Sequence, residues 1–486
     1  MKIYKFILYN LFLFSLIYLI FSSLYFEKDL EDNALWHYIG WSWTKFSDES
    51  LRNFADNKPF GIYFLYYASS KLFGINFIPL IILSLITKIF TGIFIYLILS
   101  NLLKDKFFAL TGITFFYLMV AWPEFDAGSV TYTETFVNFF IILSIYFLLR
   151  YNGNNFLFLL LSLFAIFLGF IFKQTVVFLG PAYVYFLYKK SNNKFFTKFL
   201  TSIAILLLFF LIYFFALSNF GIKIEQIIKQ TFFPLNYSSD VVMKISSRIN
   251  NFIYQWTGVY KVITIIIIIC VYYYFTCKKK IIDNLLFSSL FFMFVGIHFT
   301  GITNGHQLSQ ILPIISLILP FIIISGSEKL NFNNYKKYLI VFVLCVAFIP
   351  EISLTKIKAS INIKNNNNLY NEALPVKIYL DENYDKIIPV HQHFRNSRFM
   401  LTLNRRAASR YINTTFLYAG YGNGKAIKKN LFKLKKDLSK EEKHLLIILD
   451  DYKNEPPFGY PLFLERNIKD YKFIKKINSY LIYEKR

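Results

Sequence analysis

A series of about eleven apolar runs constrains this chain more than any other feature, because most of the runs are long enough to cross a bilayer. In lipid, only α-helices and closed barrels satisfy their own backbone hydrogen bonds. The runs lie at residues 6–26, 76–102, 107–122, 133–150, 155–172, 174–188, 197–219, 256–276, 281–300, 306–326 and 338–352. The sequence therefore predicts an α-helical polytopic membrane protein with about eleven transmembrane helices.

The composition agrees with a protein that has lipid as its solvent. The chain is 56% hydrophobic and only 17% charged, whereas soluble domains carry about 25% charged residues. A net charge of +24 would suggest nucleic acid in a soluble protein. Here much of the charge flanks apolar runs, which favours membrane lipids over nucleic acid as the partner. The three cysteines lie in or beside these runs and predict no disulfide framework.

Lysines and arginines in the short loops predict the orientation, because such residues accumulate on the cytoplasmic side. In an eleven-span arrangement they all fall on one side, which is also the side of the N-terminus. These residues are Lys2, Lys5, Lys104, Lys106, Arg150, Lys189, Lys190, Lys194, Lys278, Lys279, Lys280, Lys329, Lys336 and Lys337. We expect a multi-pass protein of the cell membrane (the inner or plasma membrane) with a cytoplasmic N-terminus and an extracytoplasmic C-terminal domain.

Residues 59–74 are apolar but short for a crossing, and we interpret them as a helix at the outer interface. Counting them as a span would place Lys104 and Lys106 outside. We expect a transmembrane domain over 1–352, with an outer loop at 27–58, and a small α/β domain over 353–486. Its strand-like runs are Lys386–Val390, Leu445–Leu449 and Tyr480–Tyr483.

The predicted first outer loop carries the most concentrated chemistry. Glu31 and Asp32 are adjacent carboxylates near the end of a span, where one could act as a general base. The alternative is that one of them caps an amphipathic helix. At the far end of the loop, Asp56 and Lys58 precede Pro59, and both are candidates for binding the substrate or its phosphate. Asp56 or Asn57 could instead cap the helix that follows. Lys58 could pair with a phosphate, or it could extend to the membrane interface as lysines commonly do.

Further polar groups fall at the predicted outer ends of spans. Glu134 lies at the start of its run, and a carboxylate within a span usually has a partner or a function. Lys173 and Gln174 interrupt two apolar runs and could line a pocket for an anion. Glu124 and Asp126 lie in a short outer loop and could orient an acceptor or bind a divalent cation; the sequence does not establish whether a metal is needed.

His306 and Gln310 are spaced to share one helix face, which suggests either a lined cavity or a hydrogen bond between helices. In the C-terminal region, Arg405 and Arg406 belong to a basic cluster that could hold phosphate or could pack against the membrane domain. His391 and His393 would share one strand face, but without a third ligand we favour a core role over a metal site.

Taken in order, these motifs resemble the GT-C superfamily of membrane glycosyltransferases, and in particular bacterial relatives of protein O-mannosyltransferases and aminoarabinose transferases. The resemblance covers most of the chain. The motifs are Asp32-x-Ala34-x-x-x-Tyr38-Ile39-Gly40-Trp41, Asp56-Asn57-Lys58-Pro59 with Phe73-Gly74, Thr133-Glu134, Phe172-Lys173-Gln174, His306-x-x-x-Gln310-x-x-Pro313 and Asn404-Arg405-Arg406-Ala407-Ala408-Ser409-Arg410-Tyr411.

The resemblance implies transfer of a sugar from a polyprenyl-phosphate donor to a lipid, glycan or protein acceptor at the outer membrane face. It assigns the catalytic base to Asp32, although the order Glu31–Asp32 leaves the choice between the two carboxylates open. Ala34 and Phe60 depart from the residues common in relatives. The alternative functions are a transporter or flippase and a polymerase of lipid-linked glycans.

Overall fold

The computed structural model describes most of the chain, and every structural statement below concerns the described residues. These are 3–24, 31–46, 54, 58–103, 105–121, 132–191, 194–232, 250, 252–253, 256, 261–276, 281–298, 305–329, 334–347, 371–394, 396–411, 424–450 and 467–486.

Each predicted apolar run coincides with helical structure. The helices are α1 Ile3–Leu24, α2 Glu31–Lys45, α3 Phe60–Phe73, α4 Ile78–Leu102, α5 Leu110–Val120, α6 Thr133–Arg150, α7 Phe156–Phe172, α8 Gly180–Ser191, α9 Phe195–Asn219, α10 Ile224–Phe232, α11 Lys261–Thr276, α12 Ile281–His298, α13 Gly305–Leu308, α14 Leu312–Lys329, α15 Asn334–Ala347, α16 Leu374–Asn383, α17 Ser397–Leu403 and α18 Gly424–Lys440. Short 3₁₀ helices at Gln174–Leu179 and Ser309–Ile311 connect α7 to α8 and α13 to α14.

Five described segments are long and apolar enough to cross a membrane by length and composition: Ile3–Leu24, Ile78–Leu102, Thr133–Arg150, Phe195–Asn219 and Ser309–Glu328. Four shorter apolar helices accompany them. Together with the C-terminal sheet below, they confirm the predicted class, a multi-pass helical membrane protein with a small α/β region. The number of crossings and the orientation of the termini stay predictions.

The chain divides into two compact units that are each discontinuous in sequence. Unit 1 contains Met1–Glu27, Leu80–Tyr213 and Met243–Lys364, and unit 2 contains Lys28–Pro79, Phe214–Val242 and Asn365–Arg486. The first predicted outer segment therefore groups with the C-terminal region. The predicted boundary between residues 352 and 353 lies outside the described residues and stays a prediction.

Close helix packing in unit 1 depends on small residues. Gly92 of α4 faces Tyr117 of α5, and a Cβ on the glycine would lie 2.4 Å from the tyrosine ring. The Tyr117 hydroxyl donates a 3.0 Å hydrogen bond to the carbonyl of Ile89. This ring fits against α4 only because residue 92 has no side chain.

In unit 2, α2 and α3 pack against each other at Gly40. A Cβ on Gly40 would lie 2.5 Å from backbone atoms of Tyr66 and Tyr67. Beside this crossing, Trp43 contacts Tyr63 and Phe220 with ring centroids 6.2 and 5.2 Å away. The predicted helix at 59–74 is present as α3, whose 14 residues are short for a crossing; its position at an interface stays a prediction.

The C-terminal part of unit 2 contains a four-stranded sheet of order β1-β2-β4-β3, with β1 Val390–Gln392, β2 Leu445–Leu449, β3 Tyr471–Ile477 and β4 Tyr480–Lys485. β1 and β2 are parallel, whereas β4 is antiparallel to both of its neighbours. The two-residue β3–β4 turn places Asn478 at φ 52°, a left-handed conformation that asparagine tolerates.

The structure corrects two strand predictions in this sheet. The run Lys386–Val390 is mostly a turn, and strand β1 begins only at its last residue. The sequence analysis also missed β3, which pairs with β4 along one edge of the sheet. Strand β2 coincides with the prediction, and β4 extends it by two residues.

Candidate functional site

In unit 1, a buried ion pair joins the start of α6 to the end of α7. The Lys173 ammonium donates to the Glu134 carboxylate, and both residues are buried. The Thr133 hydroxyl donates a second hydrogen bond of 2.8 Å to the other carboxylate oxygen. Two residues that the sequence analysis selected separately are thus direct partners.

The backbone places Lys173 here by interrupting the helix. α7 ends at Phe172, Lys173 is extended at φ −159° and ψ 129°, and the chain re-enters as the 3₁₀ helix Gln174–Leu179. Gly180 then begins α8, as expected for a tight re-entry. Because Lys173 is not helical, its side chain turns towards α6 instead of continuing along α7.

A second polar contact joins this re-entry to the segment before α14. The Thr175 hydroxyl donates a 2.5 Å hydrogen bond to Gln310 Oε1, and Gln310 Nε2 donates to the Gln307 carbonyl at 2.9 Å. Gln310 is fully buried. A third contact, from Asn138 Nδ2 to the Ser309 carbonyl at 3.1 Å, joins α6 to the same segment.

We call these six residues the polar layer: Glu134, Asn138, Lys173, Thr175, Ser309 and Gln310. Placing a charged pair in an apolar interior carries a large desolvation cost, and the attraction between the charges offsets that cost only with good hydrogen bonding. In membrane proteins, such groups commonly mark a substrate or ion path. The layer therefore holds a cation, Lys173, and its carboxylate partner together inside an apolar unit.

In unit 2, Trp36 lies one helical turn after the predicted base Asp32 and near the predicted phosphate-binding Lys58. Asp32 lies half-buried in the first turn of α2, and the buried Trp36 follows one turn later on the same face. The Lys58 ammonium lies 6.0 Å from the Trp36 ring centroid. Such a contact restrains the position of the lysine side chain.

The position of α2 is fixed by contacts on its buried side. The Tyr38 hydroxyl donates a 2.8 Å hydrogen bond to the Arg405 carbonyl, and α2 packs against α17. Burial raises the pKa of Tyr38, so the phenol stays protonated and can donate. Burial also lowers the pKa of His37 to about 4, so this histidine is neutral at pH 7.

The two predicted phosphate-binding arginines have structural contacts. The buried Arg405 guanidinium donates to the carbonyls of Leu380, Tyr384 and Asp385 at 2.7–3.0 Å, next to the C-terminal end of α16. Arg406 forms an ion pair with Glu441. These contacts account for Arg405 as a core residue, and a role for either arginine in phosphate binding stays a prediction.

Several predicted site residues fall outside what the structure describes. Asp56, Glu124 and Asp126 are outside the described residues, as are the side chains of Glu31 and His306. His306 and Gln310 do not lie on one continuous α-helix as predicted, because the 3₁₀ segment Ser309–Ile311 separates α13 from α14. In the described part of the chain, no three His, Cys, Asp or Glu residues come together to hold a metal ion.

His391 and His393 fit the core role that we favoured. They are buried, hydrogen bonded to each other at 3.0 Å, and His391 also contacts the Ser409 hydroxyl at 3.2 Å. Burial, together with the nearby His444, lowers the pKa of His391 to about 3. The histidine is therefore neutral at pH 7.

The sequence analysis missed three members of the polar layer. Asn138 lies one helical turn after Glu134, so a search of the same helix face would have found it. Thr175 follows the selected pair Lys173–Gln174 directly. Ser309 contributes only its backbone carbonyl, which no side-chain pattern reveals.

One protein-family model matches part of the chain. Residues 57–217 match the model of the dolichyl-phosphate-mannose-protein mannosyltransferase family, a stretch that includes Lys58, Glu134, Lys173 and Gln174. No curated protein sequence matches the chain significantly.

The fold is similar to two crystal structures of ArnT from Cupriavidus metallidurans. The structure bound to undecaprenyl phosphate aligns with TM-score 0.56 at 9% identity, covering 98% of this chain and 97% of that one. The apo structure aligns with TM-score 0.53 at 10% identity and the same coverage. The resemblance to GT-C membrane glycosyltransferases is confirmed by the family match over 57–217 and by a shared fold over nearly the whole chain.

Proposed function

We propose that this protein is an inverting glycosyltransferase that moves a sugar from a polyprenyl-phosphate donor to a cell-envelope acceptor at the outer face of the membrane. The observation that carries the proposal is the polar layer, which lies inside an apolar helical unit, with Glu134 and Lys173 inside the matched family region. A crystal structure of ArnT bound to undecaprenyl phosphate shares the fold.

The donor releases polyprenyl phosphate, so the reaction needs positive charge where the phosphate charge grows. Lys173 and Lys58 are two separate candidates for this charge, because preorganised cations stabilise a developing anion most in a water-poor site. Glu134 forms an ion pair with Lys173. Gln174 and Gln310 would donate side-chain hydrogen bonds to sugar or phosphate oxygens. We assign no step to Asp56 or His306.

We assign the general base to Asp32, with Glu31 as the alternative. The carboxylate removes the proton of an acceptor hydroxyl, and the resulting oxygen attacks the anomeric carbon from the face opposite the phosphate. The carbon–oxygen bond to the phosphate breaks, and polyprenyl phosphate departs with the electron pair. A single displacement of this kind inverts the anomeric configuration.

The test uses the full chain in lipid nanodiscs with a panel of radiolabelled polyprenyl-phosphate sugars and candidate acceptors. We expect the wild type to transfer label, and Asp32→Asn to bind donor normally while losing roughly 100-fold or more of turnover, as general-base removal costs. Glu31→Gln tests the alternative base. The matched control is Glu225→Gln, which neutralises an exposed acid of the same unit.

Three results would contradict the proposal. Donor binding without turnover over a broad acceptor panel would favour a transporter or flippase. Transfer of whole oligosaccharides would favour a polymerase. A product that retains the donor's anomeric configuration, measured by NMR, would exclude the single displacement.

A further inference from the structure

The helix α18 of unit 2 has an apolar face that the domain already uses. Leu434 and Leu438 are buried against Ala408 and Tyr411, with Leu431 packed at the margin. The apolar face is therefore not available to any other partner. Whatever α18 recognises must contact the opposite face.

The only acidic residue of α18 belongs to this inner side. Residues 424–440 contain seven lysines and one acidic residue, Asp437. Asp437 is buried, and Arg410 holds it with two hydrogen bonds of 2.8 Å. The acid thus compensates an arginine of the domain, and it leaves the lysines of the outer face without a counter-charge from their own helix.

The outer face combines these lysines with an exposed aromatic ring. Phe432 is 70% exposed, and Lys435, Lys436 and Lys440 are exposed on the same side of the helix. Ser439 lies between them. No described acidic residue forms a salt bridge with these three lysines. A large aromatic ring that is exposed to water loses the free energy that its burial would give. Such exposure is expected where the ring is buried against a binding partner.

We propose that this face, Phe432 with Lys435, Lys436 and Lys440, docks onto the anionic lipid headgroups of the bilayer that holds the protein. Clustered lysines are attracted to anionic lipid, and an apolar side chain among them can enter the acyl boundary. The chain carries its own membrane-crossing helices, so a bilayer is always near at a high effective concentration. A neutral glycan offers no counter-charge to three clustered ammonium groups, whereas anionic headgroups do.

The test places a fluorophore on this face in the full chain. Cys270, Cys277 and Cys345 are replaced by alanine, Ser439→Cys is labelled with an environment-sensitive dye, and the protein is placed in nanodiscs. Neutral phosphatidylcholine discs are compared with discs that also contain phosphatidylglycerol. Ser479→Cys in the β3–β4 turn gives the control label. We expect a blue shift at position 439 only in the anionic discs, and its loss at high salt, which screens surface charges.

A charge-matched pair of variants makes the test specific. Lys435→Gln/Lys436→Gln/Lys440→Gln should weaken docking by up to about 100-fold, and Phe432→Ser should reduce the blue shift further. Lys386→Gln/Lys469→Gln/Lys472→Gln removes the same charge from exposed positions off the helix and should leave docking intact. Equal dye emission in neutral and anionic discs would overturn the proposal. An equal loss of docking in the helix variant and in the off-helix variant would overturn it as well. A blue shift that appears in neutral discs only when a soluble anionic polysaccharide is added would also overturn the proposal.

Discussion

The Tyr38 hydroxyl donates a hydrogen bond of 2.8 Å to the backbone carbonyl of Arg405, although 367 residues separate them in sequence. Both groups are buried. This bond connects the helix that carries Asp32 to the C-terminal part of the same unit, close to the guanidinium that holds the end of α16.

Replacing Tyr38 with phenylalanine tests that connection. Tyr38→Phe removes the donor and leaves a buried carbonyl unpaired, which costs about 1–3 kcal/mol. We expect a lower thermal midpoint and faster hydrogen exchange in α17. Tyr188→Phe alters an exposed tyrosine and is the control. Equal stability of the two variants would show that the bond does not stabilise the unit.

Lys58 and Lys71 offer a matched comparison for phosphate binding. Lys58 precedes α3 and Lys71 lies in the last turn of α3. Each ammonium lies 6.0 Å from an aromatic ring centroid, Trp36 for Lys58 and Tyr67 for Lys71. Only Lys58 shares its ring with the face that carries Asp32. We expect Lys58→Gln to raise the KM for donor by about 10-fold or more, the loss of one charge-assisted contact, and Lys71→Gln to leave it unchanged. The same KM increase in both would mean that general surface charge attracts the donor.

The Glu134–Lys173 pair predicts opposite behaviour for stability and for activity. Glu134→Gln or Lys173→Met alone leaves a buried charge without its partner, which costs about 3–5 kcal/mol. The double variant removes both charges, so much of that stability should return. Transfer activity should not return, because the cation is still missing. Thermal unfolding and turnover measured on all four proteins test this; recovery of both together would indicate a purely structural pair.

We expect substitution of Gly40 to destabilise the close crossing of α2 and α3, unlike substitution of a glycine that has free space around it. A Cβ at residue 40 would lie 2.5 Å from backbone atoms of α3, so Gly40→Ala must push α2 and α3 apart. We expect a loss of about 1–3 kcal/mol, typical of overpacking, with a fall in turnover because Asp32 and Lys58 lie on these elements. Gly326→Ala is the control, since a Cβ there meets no atom within 4 Å. Unchanged unfolding of Gly40→Ala would mean that the crossing can widen freely.

Apolar length predicted the helices well, because a bilayer fixes how many apolar residues a crossing needs. Half of the polar layer, Glu134, Lys173 and Gln310, was selected in advance, since charged and amide groups are rare inside such runs. The pairing of Glu134 with Lys173 was not predicted, because it depends on how α6 packs beside the interruption after α7. No periodicity in a single helix contains that information.

The misses have local physical causes. Strand β3 carries Lys472, Lys475 and Lys476 on an exposed edge, and a register shift between Phe473 and Lys475 interrupts its alternation. Both features mask the period-2 pattern that identifies a strand. The apolar run at 306–326 reads as one helix, yet its first residues form two short segments, since composition does not distinguish an α-helical turn from a 3₁₀ turn.

Unit 2 draws its residues from three widely separated stretches of the chain, and this imposes an order on biogenesis. The segment that carries Asp32 and Lys58 is synthesised early, but its partner for Tyr38 leaves the ribosome only after residue 405. Helices α2 and α3 therefore stay incompletely packed while most of the membrane-spanning helices are synthesised and inserted. A nascent chain that stops short of the C-terminal region would carry every residue assigned here to catalysis and would still lack the contacts that hold α2 in place.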